Sequence, residues 1–247
     1  KEAERGYAFK EDLFVPGYFE LSIKKGETVV FSAGTEVISS RRLKRLFEDE
    51  KEARLERTDF ISCLKTSAYQ FYNKLSDGAY LLAGYPWFNY RARDQFISLP
   101  GATLYADDDK FFDEVMDKAV VALREFMNNE PATTRLTEVD SPDVLLWAVW
   151  AIQQYAIKKG VDVAAEKYGQ LVFGIVNYIR RQQHPNVSLH DNGLLYVNGT
   201  EKPATWMNAV ENGWPITPRT GYVVEINALW YNARLFTATI QRQLGKE

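Results

Sequence analysis

Residues 80–88 read Tyr80-Leu81-Leu82-Ala83-Gly84-Tyr85-Pro86-Trp87-Phe88. Asn89-Tyr90-Arg91-Ala92-Arg93-Asp94 follows, then Gln95, then Phe96-Ile97-Ser98-Leu99-Pro100-Gly101. Gly84 and Pro86 interrupt any helix, one through backbone freedom and the other through its missing N–H. Aromatic side chains crowd the break, and an Arg-Asp pair stands just before the next helical stretch, Gln95 to Tyr105. A carboxylate at a helix N-terminus stays ionised, because the helix dipole and free N–H groups favour the anion. Such a carboxylate accepts from two adjacent sugar hydroxyls, with Arg91 and Arg93 placed to orient it or to donate to other hydroxyls. The same residues also fit a local role, with Asp94 capping the helix and pairing with Arg93.

Working outward, the pattern is helical on both sides. Residues 41–57 are rich in Arg, Lys and Glu with a thin stripe of Leu43, Leu46, Phe47 and Leu55, the signature of a solvated linker helix. Thr58 to Leu75 continues as an amphipathic helix, punctuated by Asp77-Gly78. Asp107-Asp108-Asp109 caps a helix from Phe111 to Met127. Ser141 and Pro142 read as N-cap and first helical position of Val144 to Lys158, which Gly160 ends. Val163 to Gln183 and Val223 to Leu244 are further helices. At the other end of the chain, Phe19, Leu21 and Ile23 alternate with polar residues. A Lys24-Lys25-Gly26-Glu27 turn leads to Thr28-Val29-Val30-Phe31, a β-hairpin pattern.

The connection from Asn186 to Tyr222 is long and irregular, and such loops are often functional. It carries Ala204-Thr205-Trp206-Met207-Asn208, then Thr217-Pro218-Arg219. Val224-Glu225-Ile226-Asn227-Ala228-Leu229-Trp230 follows at the next helix. Trp206 is a candidate stacking platform for a sugar, or else a core residue.

Composition limits the alternatives. Of 247 residues, 46% are hydrophobic and 26% charged, an ordinary globular balance. A net charge of −3 lacks the basic surplus of a nucleic-acid binder. No apolar run approaches the roughly 18 residues of a membrane span. Cys63 stands alone, so no internal disulfide forms, which fits a reducing, cytoplasmic setting. His184 and His190 are the two histidines, and their spacing is weak evidence for a metal site. The absence of an initiating Met and the charged Lys1-Glu2-Ala3-Glu4-Arg5 start read as the middle of a longer protein.

The string Ala83 to Phe88 with Arg93-Asp94 and Ser98 to Gly101 resembles the opening catalytic-domain motif of the glycogen debranching enzyme family. Thr205-Trp206-Met207, Thr217-Pro218-Arg219 and Val224 to Ala233 resemble later motifs of that family in the same order. Asp143 and Trp147 fit a weaker one between them. The resemblance covers about residues 60–244, with Val15 to Glu20 similar to the end of a preceding β-domain. It implies an all-α (α/α)6 toroid of the six-hairpin glycosidase type, of which about half is present. The division is then 1–38 as the tail of the β-domain, 39–57 as a linker helix and 58–247 as the first half of the glucosidase domain. An uncovered helix face in such a half would favour a homo-oligomer.

The activity implied is amylo-α-1,6-glucosidase, hydrolysis of the single glucose left at a branch point of glycogen, limit dextrin or a maltooligosaccharide. It proceeds by inversion and needs no cofactor. Inversion needs a general acid and a general base roughly 6.5–9.5 Å apart. The resemblance assigns the terminal glucose to Arg93 and Asp94. Trp87, Phe88, Arg91, Trp206, Arg219, Glu225, Asn227 and Trp230 complete the substrate-binding set. The family's acid is the Asp of a Thr-Trp-Met-Asp string, and here Asn208 occupies that position. An amide has no proton to give at neutral pH, so Glu211 or Glu225 would have to substitute. The family's base is expected beyond Glu247. A carbohydrate-binding, catalytically silent homologue is the alternative.

Overall fold

The computed structural model describes residues 3–5, 9–85 and 88–245. The chain divides into two compact units, residues 1–67 and 68–247.

In the first unit, a 3-10 turn at Ala3–Arg5 precedes extended chain, and α1 spans Ser40–Ala53. No residue of α1 is buried. Its charges pair along the helix instead, as in Arg45–Asp49 at 3.8 Å and Arg54–Glu50 at 2.9 Å, the spacing at which helical neighbours face each other. The hairpin expected over residues 19–31 is not formed. The turn is there, with Glu27 N–H donating to Lys24 O at 3.0 Å, and the Phe19 and Phe31 rings lie 6.0 Å apart. No ladder joins the flanking segments, and Phe19, Leu21, Ile23 and Phe31 are all exposed. Two strands with no third strand or helix under their apolar face gain too little from pairing to hold a ladder. The short helix α2, Phe60–Tyr69, runs across the division between the units.

The second unit begins with a hairpin where a helix was expected. β1 (Tyr72–Leu75) pairs antiparallel with β2 (Gly78–Leu81), so Asp77-Gly78 is the hairpin turn and not a gap after a helix. Gly78 has φ of 146°, which a side chain rarely adopts. Then come α3 (Ala92–Ala102), α4 (Asp109–Met127), α5 (Val144–Lys159) and α6 (Val161–Arg180). Two further hairpins follow, β3 (Val187–Leu189) with β4 (Leu195–Val197), and β5 (Val210–Glu211) with β6 (Trp214–Pro215). The chain closes on α7 (Val224–Gln243). Asp108 caps α4 through Phe111 N–H at 3.0 Å, as expected from the Asp triplet. Helix α5 starts at Val144 as expected, but its N-cap is Asp143 and not Ser141, whose carbonyl instead accepts from Val144 N–H in a turn that includes Pro142.

The helices form two antiparallel layers. α3, α5 and α7 run the same way: Arg93 at the start of α3 binds Asp143 at the start of α5, and Asn232 of α7 donates to Gln153 of α5 at 2.8 Å. α4 and α6 run back. Phe112 near the start of α4 stacks on Tyr155 near the end of α5, with centroids 5.1 Å apart. Lys167 of α6 pairs with Asp113 of α4 at 2.6 Å. Gly169 of α6 lies against Ile240 and Leu244, the far end of α7. α5 is apolar nearly all round, with Val144, Leu145, Leu146, Ala148, Val149, Ala151 and Ile152 all buried, as a helix covered on several sides must be. α7 keeps an exposed stripe of Val224, Tyr231 and Leu235. This arrangement places the N-termini of α3, α5 and α7, and the long 186–222 connection, at one end.

At that end His184 is buried against Phe126 and Tyr178, edge to face. Its Nδ1 accepts from Asn186 N–H at 3.1 Å, while Nε2 has no partner among the described residues. Burial pushes its pKa down to about 4, with Asp140 opposing weakly. The unfolded chain therefore takes up a proton below about pH 6.5 that the folded one refuses, and stability falls as pH drops from there towards 4. His184→Phe should remove up to about 3 kcal/mol of that acid-induced loss. Urea unfolding at pH 7 and pH 4 checks this; an acid loss as large as in the parent would contradict it.

Candidate active site

The start of α3 is fixed from two directions. Thr137 N–H donates to Tyr90 O at 2.8 Å and Ala92 N–H donates to Thr137 O at 3.0 Å, clipping the entry strand to the segment before α5. Within the helix, Gln95 Oε1 accepts from Leu81 N–H at 3.2 Å, tying α3 to β2. These bonds set where residues 91–94 point.

Arg93 is only 3% exposed and its guanidinium grips Asp143 with both prongs, Nε to Oδ2 at 2.7 Å and Nη2 to Oδ1 at 2.8 Å. Trp147 Nε1 donates to the same carboxylate at 3.2 Å, one helical turn on. Glu138 serves both arginines, 3.3 Å from Arg91 and 3.9 Å from Arg93. Arg91 also lies over the Phe88 ring, 4.7 Å from its centroid. The pairing of Asp94 with Arg93 weighed from sequence does not form. Asp94 instead faces outward beside a hollow of about 330 Å3 lined by Phe71, Leu81, Leu82, Ala83, Ile97 and Ser98. Its carboxylate makes no hydrogen bond or ion pair among the described residues. Trp87 lies outside the described residues.

The second group gathers around α7. Arg219 Nη2 binds Glu225 Oε2 at 2.6 Å, and Arg219 Nη1 reaches Met207 Sδ at 3.4 Å. Asn208, next to Met207, is half-buried in a tight turn, its N–H donating to Trp206 O at 2.9 Å. Trp206 itself is 63% exposed, so its ring is open to solvent and not part of the core. Glu211 is exposed at the β5–β6 hairpin, across from Trp214. Asn227 and Trp230 hold scaffold positions. Asn227 Oδ1 accepts from Leu195 N–H at 2.8 Å, and its amide donates to Leu195 O and Val223 O at 3.0 Å each. Trp230 is 2% exposed and donates to Gly193 O at 3.3 Å. Both side chains hold the β3–β4 hairpin against α7 in place of an open ligand contact.

The two groups are linked through residues 138–143. Glu138 and Asp143 face Arg91 and Arg93, and Asp140 pairs with Lys202 of the loop that leads to Trp206. Glu138 was not singled out from sequence; it precedes a turn and carries no motif. Asp143 had a faint signal, the four-residue spacing to Trp147 that puts both on one helix face. Among the described residues, no group of three or more His, Cys, Asp or Glu is placed to hold a metal, and no helix is long and apolar enough to cross a membrane.

Removing one partner of a buried pair strands the other charge. Asp143→Ala should destabilise the chain by about 3–5 kcal/mol, read as a lowered urea midpoint, while Asp94→Ala, which removes only a helix-dipole contribution of about 0.3–1 kcal/mol, should shift the midpoint far less. Equal midpoints for Asp143→Ala and the parent would contradict the clamp.

No curated protein and no solved structure matches the chain significantly. A glycogen debranching enzyme N-terminal family model matches residues 1–30. The amylo-alpha-1,6-glucosidase family model matches residues 64–247, most of the chain and all the segments just described. On that match, the chain belongs to the amylo-α-1,6-glucosidase family of glycogen debranching enzymes.

Proposed function

We propose that this chain carries the glucose-holding part of an α-1,6-glucosidase site, acting on glycogen, limit dextrin or a branched maltooligosaccharide. What supports the reading is convergence: segments 88–94, 138–143 and 202–225 are tied together at the end where α3, α5 and α7 begin. The two helix layers are the arrangement expected of part of an (α/α)6 toroid, and we include that fold in the proposal. A cytoplasmic setting follows from the glycogen substrate.

The roles divide by what each side chain has left to offer. Asp94 has a free carboxylate and accepts from the hydroxyls of the terminal glucose. Arg93 acts at one remove, because it is buried with its Nε and Nη2 bound to Asp143, and it fixes the helix that carries Asp94. Arg91 and Phe88 form a cation–π edge beside it. Trp206 offers an open ring face for a sugar. Arg219 keeps Nη1 near Met207 and orients Glu225.

The specific observation that favours the silent alternative is Asn208 at the acid position. Its amide cannot protonate a leaving oxygen. Glu225 already has its Oε2 engaged by Arg219. Glu211, exposed on a hairpin, is the substitute acid with fewer ties. Turnover is therefore expected to be slow, with binding retained.

Two variants separate the readings. Asp94→Asn should weaken glucose binding at least about tenfold, since a charged acceptor is replaced by a neutral one. Asn208→Asp should raise glucose release from limit dextrin by about 10²–10⁴-fold, the usual worth of a general acid. Binding without any gain in release would favour the silent homologue. Glucose binding unaffected by Asp94→Asn would remove the pocket assignment.

A further inference from the structure

Three aromatic rings at the same end take no part in the contacts above. His190 stacks on Tyr196 with centroids 5.2 Å apart and planes 5° from parallel. Tyr222 stands perpendicular to both, at 5.5 and 5.6 Å. The Tyr222 hydroxyl lies 2.7 Å from His190 Nδ1. These rings are not core: Tyr196 is 36% and Tyr222 46% exposed, and His190 is exposed too.

The backbone holds the cluster in place. His190 N–H donates to Leu194 O at 3.0 Å and Gly193 N–H to His190 O at 2.8 Å, closing the β3–β4 turn. Val197 and Gly221 exchange both backbone bonds, at 3.0 and 2.9 Å, so the neighbouring Tyr196 and Tyr222 are set beside each other. Before the rings opens a hollow of about 420 Å3, lined by Leu189, His190, Asp191, Asn192 and Tyr222. Asp191 makes no hydrogen bond or ion pair from its carboxylate among the described residues. Asn192 spends its carbonyl on Leu194 N–H at 3.0 Å and keeps its NH2.

An exposed π-face beside a free carboxylate and a free amide donor matches a pyranose ring. The sugar's C–H face rests on the aromatic, and its hydroxyls reach donor and acceptor at the edge. A charged ligand suits it less, since Asp191 repels anions and a cation would not need the amide. Tyr222 lies three residues from both Arg219 and Glu225 in sequence, between two side chains of the group around α7. We propose that His190 and Tyr222, with Tyr196 stacked on His190, form an outer subsite that holds a glucose unit of the main α-1,4-glucan chain, while the pocket holds the terminal glucose. This rests on the function proposed above.

Calorimetric titration of the whole chain with maltoheptaose and with glucose tests it. Tyr222→Ala should weaken maltoheptaose binding about tenfold, the worth of one stacking contact, and leave glucose binding as in the parent. Tyr222→Trp, which keeps a ring, should bind maltoheptaose as the parent does. If Tyr222→Ala and His190→Ala bind maltoheptaose as well as the parent, the subsite is wrong and the glucose pocket stands. If both ligands weaken together with a lowered melting temperature, the rings only support the hairpin and the subsite is again wrong. If the parent binds neither sugar, the glucan reading falls and the subsite with it.

Discussion

The end of the molecule that carries the candidate site depends on one buried ion pair. Arg93 and Asp143 begin two different helices, fifty residues apart in sequence, and meet with two short hydrogen bonds. Each charge is nearly sealed from water, so neither tolerates loss of the other. Trp147 and Glu138 add further partners. The consequence is geometric: with Arg93 turned inward, Asp94 on the next residue of the helix turns outward. The clamp that joins α3 to α5 therefore also aims the free carboxylate.

The layers extend that logic. α5 is wrapped by neighbours and runs parallel to α3 and α7, while α4 and α6 return on the other side. Repeated helical hairpins of this kind gather every second helix start at one end, together with the connections that precede them. The long loops are accordingly free to vary in chemistry while the helices fix their roots, with Asn227 and Trp230 pinning β3–β4 to α7.

Helices read well from the sequence because they are long and their signals are local. The Asp107–Asp109 cap and Gly160 sit where expected. The hairpin at residues 72–81 was missed because Phe71 and Tyr72 continue the apolar spacing of α2, and only the Asp77-Gly78 turn signals otherwise. The expected hairpin at residues 19–31 failed for the opposite reason: its alternation is clear, but no other element covers its apolar face. In the site, residue types were legible and partners were not. Nothing local says that Arg93 binds Asp143 rather than Asp94, or that Trp230 is buried while Trp206 is open. Those outcomes are set by contacts far apart along the chain.

In the proposed reading, Asn208 at the acid position separates holding a sugar from cleaving it. The most direct measurement is a crystal structure of the chain grown with saturating glucose. The account predicts density for one glucose within hydrogen-bond reach of Asp94, at the end where α3, α5 and α7 begin. Glucose bound at the opposite end near Gly160, or crystals with an empty pocket at Asp94 under saturating sugar, would contradict it.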